Sequence, residues 1–190
     1  MRNVNVEIKA RCRSVDAIRA HLNCVGAASH GIDHQIDTYF RTQNGRLKLR
    51  QGLIENNLIY YSRADGSGPK RSDVRRYDTT DSAAELMEVL SAAFDVEAVV
   101  DKQREIYFIS NVKIHLDVVK ELGSFVEIEA IDQDGTHTFS QLEQQCWSLI
   151  RLFHIAEHDF VNISYGDMVR QRRNHRPALP HWPVDLKRAS

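Results

Sequence analysis

Strictly alternating polar and apolar residues recur along this chain, and the polar positions are ionic. Val4-Asn5-Val6-Glu7-Ile8-Lys9-Ala10-Arg11 places apolar residues at even numbers and polar ones at odd numbers. Arg46-Leu47-Lys48-Leu49-Arg50 is the cleanest case, and Phe125-Val126-Glu127-Ile128-Glu129 sets two acids on one side. Period two is the signature of a strand with two unlike faces. The polar faces carry Glu7, Lys9 and Arg11; Arg46, Lys48 and Arg50; Tyr61 and Arg63; Lys102 and Arg104; Lys113, His115 and Asp117; and Glu127 and Glu129. For any one strand, a solvated face is the ordinary reading. The full set argues against it, because the bases gather on the middle strands and the acids on the first and the last two. Segregated like charge repels itself unless a ligand of matching charge sits there. If the sheet curls closed, all of these groups face a lumen. Such a lumen suits a polyanion carrying a divalent metal, with carboxylates on Mg²⁺ or Mn²⁺ and cations on phosphate oxygens.

The rest of the chain supplies the strands for such closure. Strands are predicted over 4–11, 32–40, 46–50, 58–63, 71–78, 96–109, 112–118 and 124–131. Asn44-Gly45 reads as a two-residue hairpin turn. Helices are predicted over 14–27, with Ser14 as N-cap; 81–94, from Asp81-Ser82; and 138–154, from a Thr138/Gln141 capping box. A further helical piece is predicted from Asp159 to about Arg172. The class is α+β, dominated by an antiparallel sheet. Residues 1–170 read as one domain and 171–190 as a basic, proline-containing tail. The 190 residues carry 25 basic and 26 acidic side chains, a net charge of −1. No global field draws the chain to nucleic acid or to a membrane. Cys12, Cys24 and Cys146 lack metal-ligand spacing and fit a reducing compartment. With no apolar run of about 18 residues and no leader-like start, a cytoplasmic protein is expected.

These residues resemble the CYTH superfamily, the triphosphate tunnel metalloenzymes. Asn5-x-Glu7-x-Lys9 is similar to the family's Glu-x-Glu-x-Lys signature. Asp37-Thr38-Tyr39-Phe40, Arg46-Leu47-Lys48-Leu49-Arg50, Lys102-x-Arg104, His115-Leu116-Asp117 and Glu127-x-Glu129 follow in the family's order over roughly residues 3–165. The resemblance implies a closed eight-stranded antiparallel β-barrel, a tunnel, with flanking helices. It implies metal binding by Glu7, Glu127 and Glu129, with Asp117 on a second metal or its water. Phosphate contacts fall to Lys9, Lys48, Arg50, Lys102 and Arg104, with Arg46 and Arg63 as further candidates. Lys70 and Arg71, read as part of the loop after the fourth strand, would close one mouth. Lys9, Asp117 and Tyr61 are the catalytic candidates. His115 either touches phosphate or fills the wall. The chain departs from the family at Asn5, where the first signature acid stands, and at Tyr61 and Arg63, where some members carry a lysine that helps to activate water.

Three functions remain open on sequence. One is metal-dependent hydrolysis of a small triphosphate by a monomer or homodimer. Another is a class IV-like adenylyl cyclase. The last is a non-catalytic polyphosphate or nucleotide binder. His154 and His158 have helical zinc spacing but lack a third ligand, and surface histidines are the commoner reading. Arg170, Arg172, Arg173 and Arg176 have no aromatic platform behind them, so a solvated helix end is favoured over RNA binding.

Overall fold

The computed structural model describes residues 2–63 and 68–174. The strands are β1 (Arg2–Arg11), β2 (Ala28–Phe40), β3 (Arg46–Gln51), β4 (Asn57–Arg63), β5 (Lys70–Asp78), β6 (Val96–Ile109), β7 (Val112–Val119) and β8 (Gly123–Asp132). They close into a barrel in the order β1-β5-β4-β3-β2-β6-β7-β8, with β8 returning to β1. Every pairing is antiparallel. The helices are α1 (Val15–Cys24), α2 (Ala83–Ala93), α3 (Phe139–Leu152) and α4 (Tyr165–Asn174). Of the expected tail, residues 171–174 continue α4, and 175–190 lie outside the described residues.

On β1, β3, β7 and β8 the apolar faces point outward and the ionic faces inward, whereas β4 and β5 turn Ile59, Tyr61 and Val74 into the lumen. On the outside, Val6, Ile8, Ile114, Leu116, Val126 and Ile128 meet Ile18 and Leu22 of α1 and Leu142, Cys146 and Ile150 of α3. Each such side chain removed from water contributes roughly 1.5–3 kcal/mol. Leu86, Met87 and Leu90 of α2 cover Phe40, Leu47, Leu49 and Leu58 in the same way. Ser14 caps α1 by accepting from the Ala17 N–H at 3.2 Å. Thr138 and Gln141 form the reciprocal box at the start of α3.

Three local expectations are corrected. Asn44-Gly45 is not a two-residue hairpin, since β2 ends at Phe40 and β3 begins at Arg46. Gly45 closes this longer loop at φ +67°, where an added Cβ would lie 2.6 Å from the Tyr60 hydroxyl. The helix expected from Asp159 divides into a short turn at Glu157–Asp159 and α4. Between them Phe160 bridges to Ala10, and the Val161 N–H donates to the Lys9 carbonyl at 2.8 Å. Ser164 and Asp167 then restart the helix by exchanging side-chain bonds with each other's backbone N–H. Lys70 and Arg71 lie inside β5, not in the preceding loop, because β5 pairs with β1 as far as Lys70 opposite Glu7.

α4 closes one end of the barrel. Tyr165 and Met168 insert among Tyr39, Ala98, Val100, Val119 and Phe125. Gly166 permits the approach, because a Cβ there would stand 2.9 Å from the Tyr39 ring.

Candidate active site in the barrel lumen

Residues paired across an antiparallel ladder share a face, and the register brings the ionic positions together. Lys9 faces Glu127, Glu7 faces Glu129, His115 faces Glu127, Arg104 faces Asp117 and Arg50 faces Asp37. Asn5, Glu7, Lys9, Lys48, Arg50, Tyr61, Arg76, Arg104, Glu127 and Glu129 line one cavity of about 60 Å³. That is room for very few waters. The larger space of about 290 Å³, bordered by Arg46, Asp167, Arg170 and Glu97, lies at the α4 end, where Arg46 already pairs with Asp167 at 3.0 Å.

Two ionic knots fill the lumen. The first centres on Asp37, which is fully buried. It accepts from Arg50 Nε at 2.8 Å, Lys48 Nζ at 2.9 Å and Lys102 Nζ at 2.7 Å. Burial alone would raise its pKa, but Arg50, Lys102 and Lys48 outweigh this and hold the carboxyl well below the usual range. Burial lowers Lys102 to about 7 and Lys48 to about 8, with Asp37 restoring part of each shift. In the second knot Asp117 takes Arg104 bidentately at 2.7 and 2.6 Å and the Tyr165 hydroxyl at 2.7 Å. Arg104 also donates to Glu127 at 2.5 Å, and Lys9 pairs with Glu127 at 2.9 Å while lying 3.8 Å from the Tyr165 ring centre. Burial opposes ionisation of Glu127; Lys9 and Arg104 override it.

The expected division into a basic wall and an acidic wall is therefore incomplete. Asp37 stands among the bases and Arg104 reaches into the acids, as buried charge requires. Asp37 was legible as part of a polar period-two run, Asp33-Gln35-Asp37, but carried no site role on sequence. Glu55 gave no signal, because it belongs to the irregular β3–β4 loop. Asp33 anchors that loop by accepting from the N–H groups of Leu53, Ile54 and Glu55 at 2.6, 2.9 and 3.0 Å. Glu55 thereby enters the barrel, accepting from Arg50 at 2.7 Å and from Lys113 on β7. Burial would raise its pKa, and Arg50 and Lys113 depress it strongly instead. Lys113 was read on an ionic face but given no site role, and Tyr165 joins the lumen from α4 with no sequence signal.

Arg46 and Arg71 stand apart from the central cluster, and other candidates have different surroundings from those expected. Arg46 binds Asp167 of α4 at 3.1 Å. Lys70 is buried and donates to the Asn162 carbonyl at 3.1 Å, whereas Arg71 points out and pairs with Asp73 at 3.4 Å. The Arg63 side chain lies outside the described residues. Tyr61 packs with Ile59 and Val74 on the inner wall. Asp117, expected beside a second metal, has both oxygens engaged by Arg104 and Tyr165.

The acidic side of the lumen holds buried polar atoms without hydrogen-bond partners among the described residues: Asn5 Oδ1, Glu129 Oε2 and both ring nitrogens of His115. Each costs roughly 1–3 kcal/mol if left unsatisfied. A cation with its waters satisfies several acceptors at once, so these residues fit a divalent metal. Glu127 and Glu129 bring donor atoms within 4.8 Å of each other, and Glu7 faces Glu129 across the β1–β8 ladder.

The fold is a closed antiparallel barrel around a largely ionic lumen. The chain belongs to the CYTH domain family, whose model matches residues 3–165. A comparison with curated proteins found no match. Among solved structures, the PH1012 protein of Pyrococcus horikoshii OT3 is similar, with 24% identity, a TM-score of 0.75, and coverage of 87% of this chain and 99% of that one. A putative adenylate cyclase of Vibrio parahaemolyticus shares 22% identity at a TM-score of 0.66, over 86% of this chain and 96% of its own. A putative adenylyl cyclase of Hippeastrum, described as having a dominant triphosphatase activity, shares 12% identity at 0.59, over 94% and 98%. At these identities the likeness is one of fold.

Proposed function

We propose that this protein hydrolyses a small triphosphate, such as tripolyphosphate, thiamine triphosphate or a nucleoside triphosphate, inside the barrel with Mg²⁺ or Mn²⁺. The carrying observation is the facing of two sets across one lumen. Lys48, Arg50, Lys102 and Arg104 stand on β3 and β6, and Glu7, Glu127 and Glu129 on β1 and β8.

Each part follows from charge and position. Lys48, Arg50 and Lys102 would exchange Asp37 for phosphate oxygens, and the charge that builds on the transferring phosphoryl group would meet cations already in place. Arg104, fixed by Asp117, spans the phosphate and metal sides. Lys9 holds Glu127 ionised and oriented. When bound at Glu7, Glu127 and Glu129, a divalent ion supplies charge neutralisation and a water of lowered pKa. Entry of substrate requires the Glu55 and Asp37 ion pairs to open, since the cavity is far smaller than a triphosphate.

Phosphorus NMR of the products tests the reaction. Protein incubated with tripolyphosphate, thiamine triphosphate or ATP, each with Mg²⁺ and with Mn²⁺, should yield orthophosphate and the corresponding diphosphate. Pyrophosphate with cyclic AMP would replace this reading with the cyclase. Binding without product would replace it with a binding module.

A further inference from the structure

We infer that the cation site of this chain is a mixed imidazole–carboxylate centre, with His115 as a ligand beside Glu127 and Glu129, and that it selects first-row transition dications over Mg²⁺. The inference rests on the proposed function's placement of a divalent ion at the acidic side of the lumen. It adds a nitrogen donor and a metal preference.

The geometry comes from neighbouring strands. His115 on β7 is the ladder partner of Glu127 on β8, and Glu129 lies two residues further along β8 on the same face. His115 Nδ1 stands 3.5 Å from Glu127 Oε2 and 3.7 Å from Glu129 Oε1. One donor atom from each of the three lies within 4.8 Å of the others. Two donors on one ion, each bonded at about 2.1 Å, sit roughly 3.0–3.4 Å apart at right or tetrahedral angles. The two His115–carboxylate distances exceed that spacing by only a few tenths of an ångström, and Arg104, which donates to Glu127 Oε2 at 2.5 Å, must yield that oxygen to the ion.

Burial and hydrogen bonding point the same way. His115 is 1% exposed, and neither ring nitrogen has a hydrogen-bond partner among the described residues. Glu129 Oε2 likewise has no hydrogen-bond partner among the described residues, its ion pair with Arg76 being long at 3.8 Å. A histidine that merely fills a wall normally donates from one nitrogen and accepts at the other. Here the nitrogen nearest the carboxylates makes no proper bond to either, which leaves the space between all three suited to a cation.

The donor set decides the metal. Mg²⁺ takes oxygen ligands and releases its waters reluctantly, whereas first-row transition ions accept imidazole nitrogen. Asn5 removes one carboxylate from the signature position, so the site has fewer of the hard anionic donors that favour Mg²⁺.

The test uses the full-length, metal-free protein without substrate, loaded with Mn²⁺. Pulsed electron paramagnetic resonance should show nitrogen-14 modulation from a directly bound imidazole. Calorimetry should give Mn²⁺ binding at least about tenfold tighter than Mg²⁺. His115→Gln should abolish the modulation and weaken Mn²⁺ at least about tenfold, with Mg²⁺ changed less than about threefold. His115→Phe, checked for its fold by circular dichroism, should do the same. Modulation that persists in both variants, or Mn²⁺ bound with none in the wild type, would overturn the inference and leave the hydrolase reading standing. Failure of the wild type to bind either ion would overturn both.

Discussion

Replacing Asp37 with asparagine keeps the shape of the side chain and removes one buried negative charge. Three cations then lose their shared partner. Arg50, Lys48 and Lys102 have side-chain exposures of 6%, 12% and 0%, and all contact Asp37 at 2.7–3.1 Å. Removing one partner of a buried ion pair costs about 3–5 kcal/mol, a large share of the roughly 5–15 kcal/mol that holds a domain together. The loss depends on pH. Lys102 and Lys48, already lowered to about 7 and about 8, fall further without Asp37 and shed their protons on folding. The unfolded chain keeps those protons until about pH 10.4, so it binds more protons than the folded state and stability rises with pH. Urea unfolding of Asp37→Asn should show a deficit near 5 kcal/mol at about pH 6 and nearer 3 at about pH 8.5. Tripolyphosphate at about 100 times its Kd should restore roughly 2.7 kcal/mol, by binding only the folded state. A deficit under about 1 kcal/mol at both pH values, or one that does not shrink as pH rises, would refute the reasoning.

The wild type carries a weaker form of the same slope. Between about pH 7 and 8.5 its unfolding free energy should rise by about 2 kcal/mol, and Lys102→Met should remove most of that rise. Above this window the buried Cys146 thiol, pushed up to about 12, opposes it, because the unfolded thiol ionises first. Glu55→Gln removes an anion competing for Arg50 and Lys113, so calorimetry should find tripolyphosphate bound several-fold more tightly; unchanged or weaker binding would show that Glu55 does not compete. Tyr165→Phe deletes the hydroxyl bound to Asp117 at 2.7 Å and keeps the ring under Lys9. It should cost about 1–2 kcal/mol in urea unfolding, and no loss would mean that α4 is seated by packing alone.

Most strands were legible because period-two alternation survives whichever way the faces point. The direction was not legible strand by strand, since an outward ionic face reads identically; only the accumulation of like charge argued for a lumen. Glu55 and Tyr165 escaped notice for a different reason. Each reaches the site from an irregular loop or a short helix, and its position depends on long-range contacts, namely Asp33 with the 53–55 backbone and Gly166 against Tyr39. Lys70 was misplaced by one boundary, because Gly68-Pro69 reads as loop while β1 extends the pairing to the next residue. Asp37 was quoted in a family motif but given no site role, because an acid on one strand gives no hint that three cations from two other strands converge on it.

The central claim is that the ionic lumen is a metal-dependent triphosphate site. Phosphate release from tripolyphosphate with Mn²⁺, measured for the wild type and for the Glu127→Gln/Glu129→Gln double variant at matched folded fraction, tests it most directly. The account predicts turnover in the wild type and a fall of at least about a hundredfold in the variant, as when groups that stabilise developing charge are lost. Equal turnover in the two proteins would contradict it.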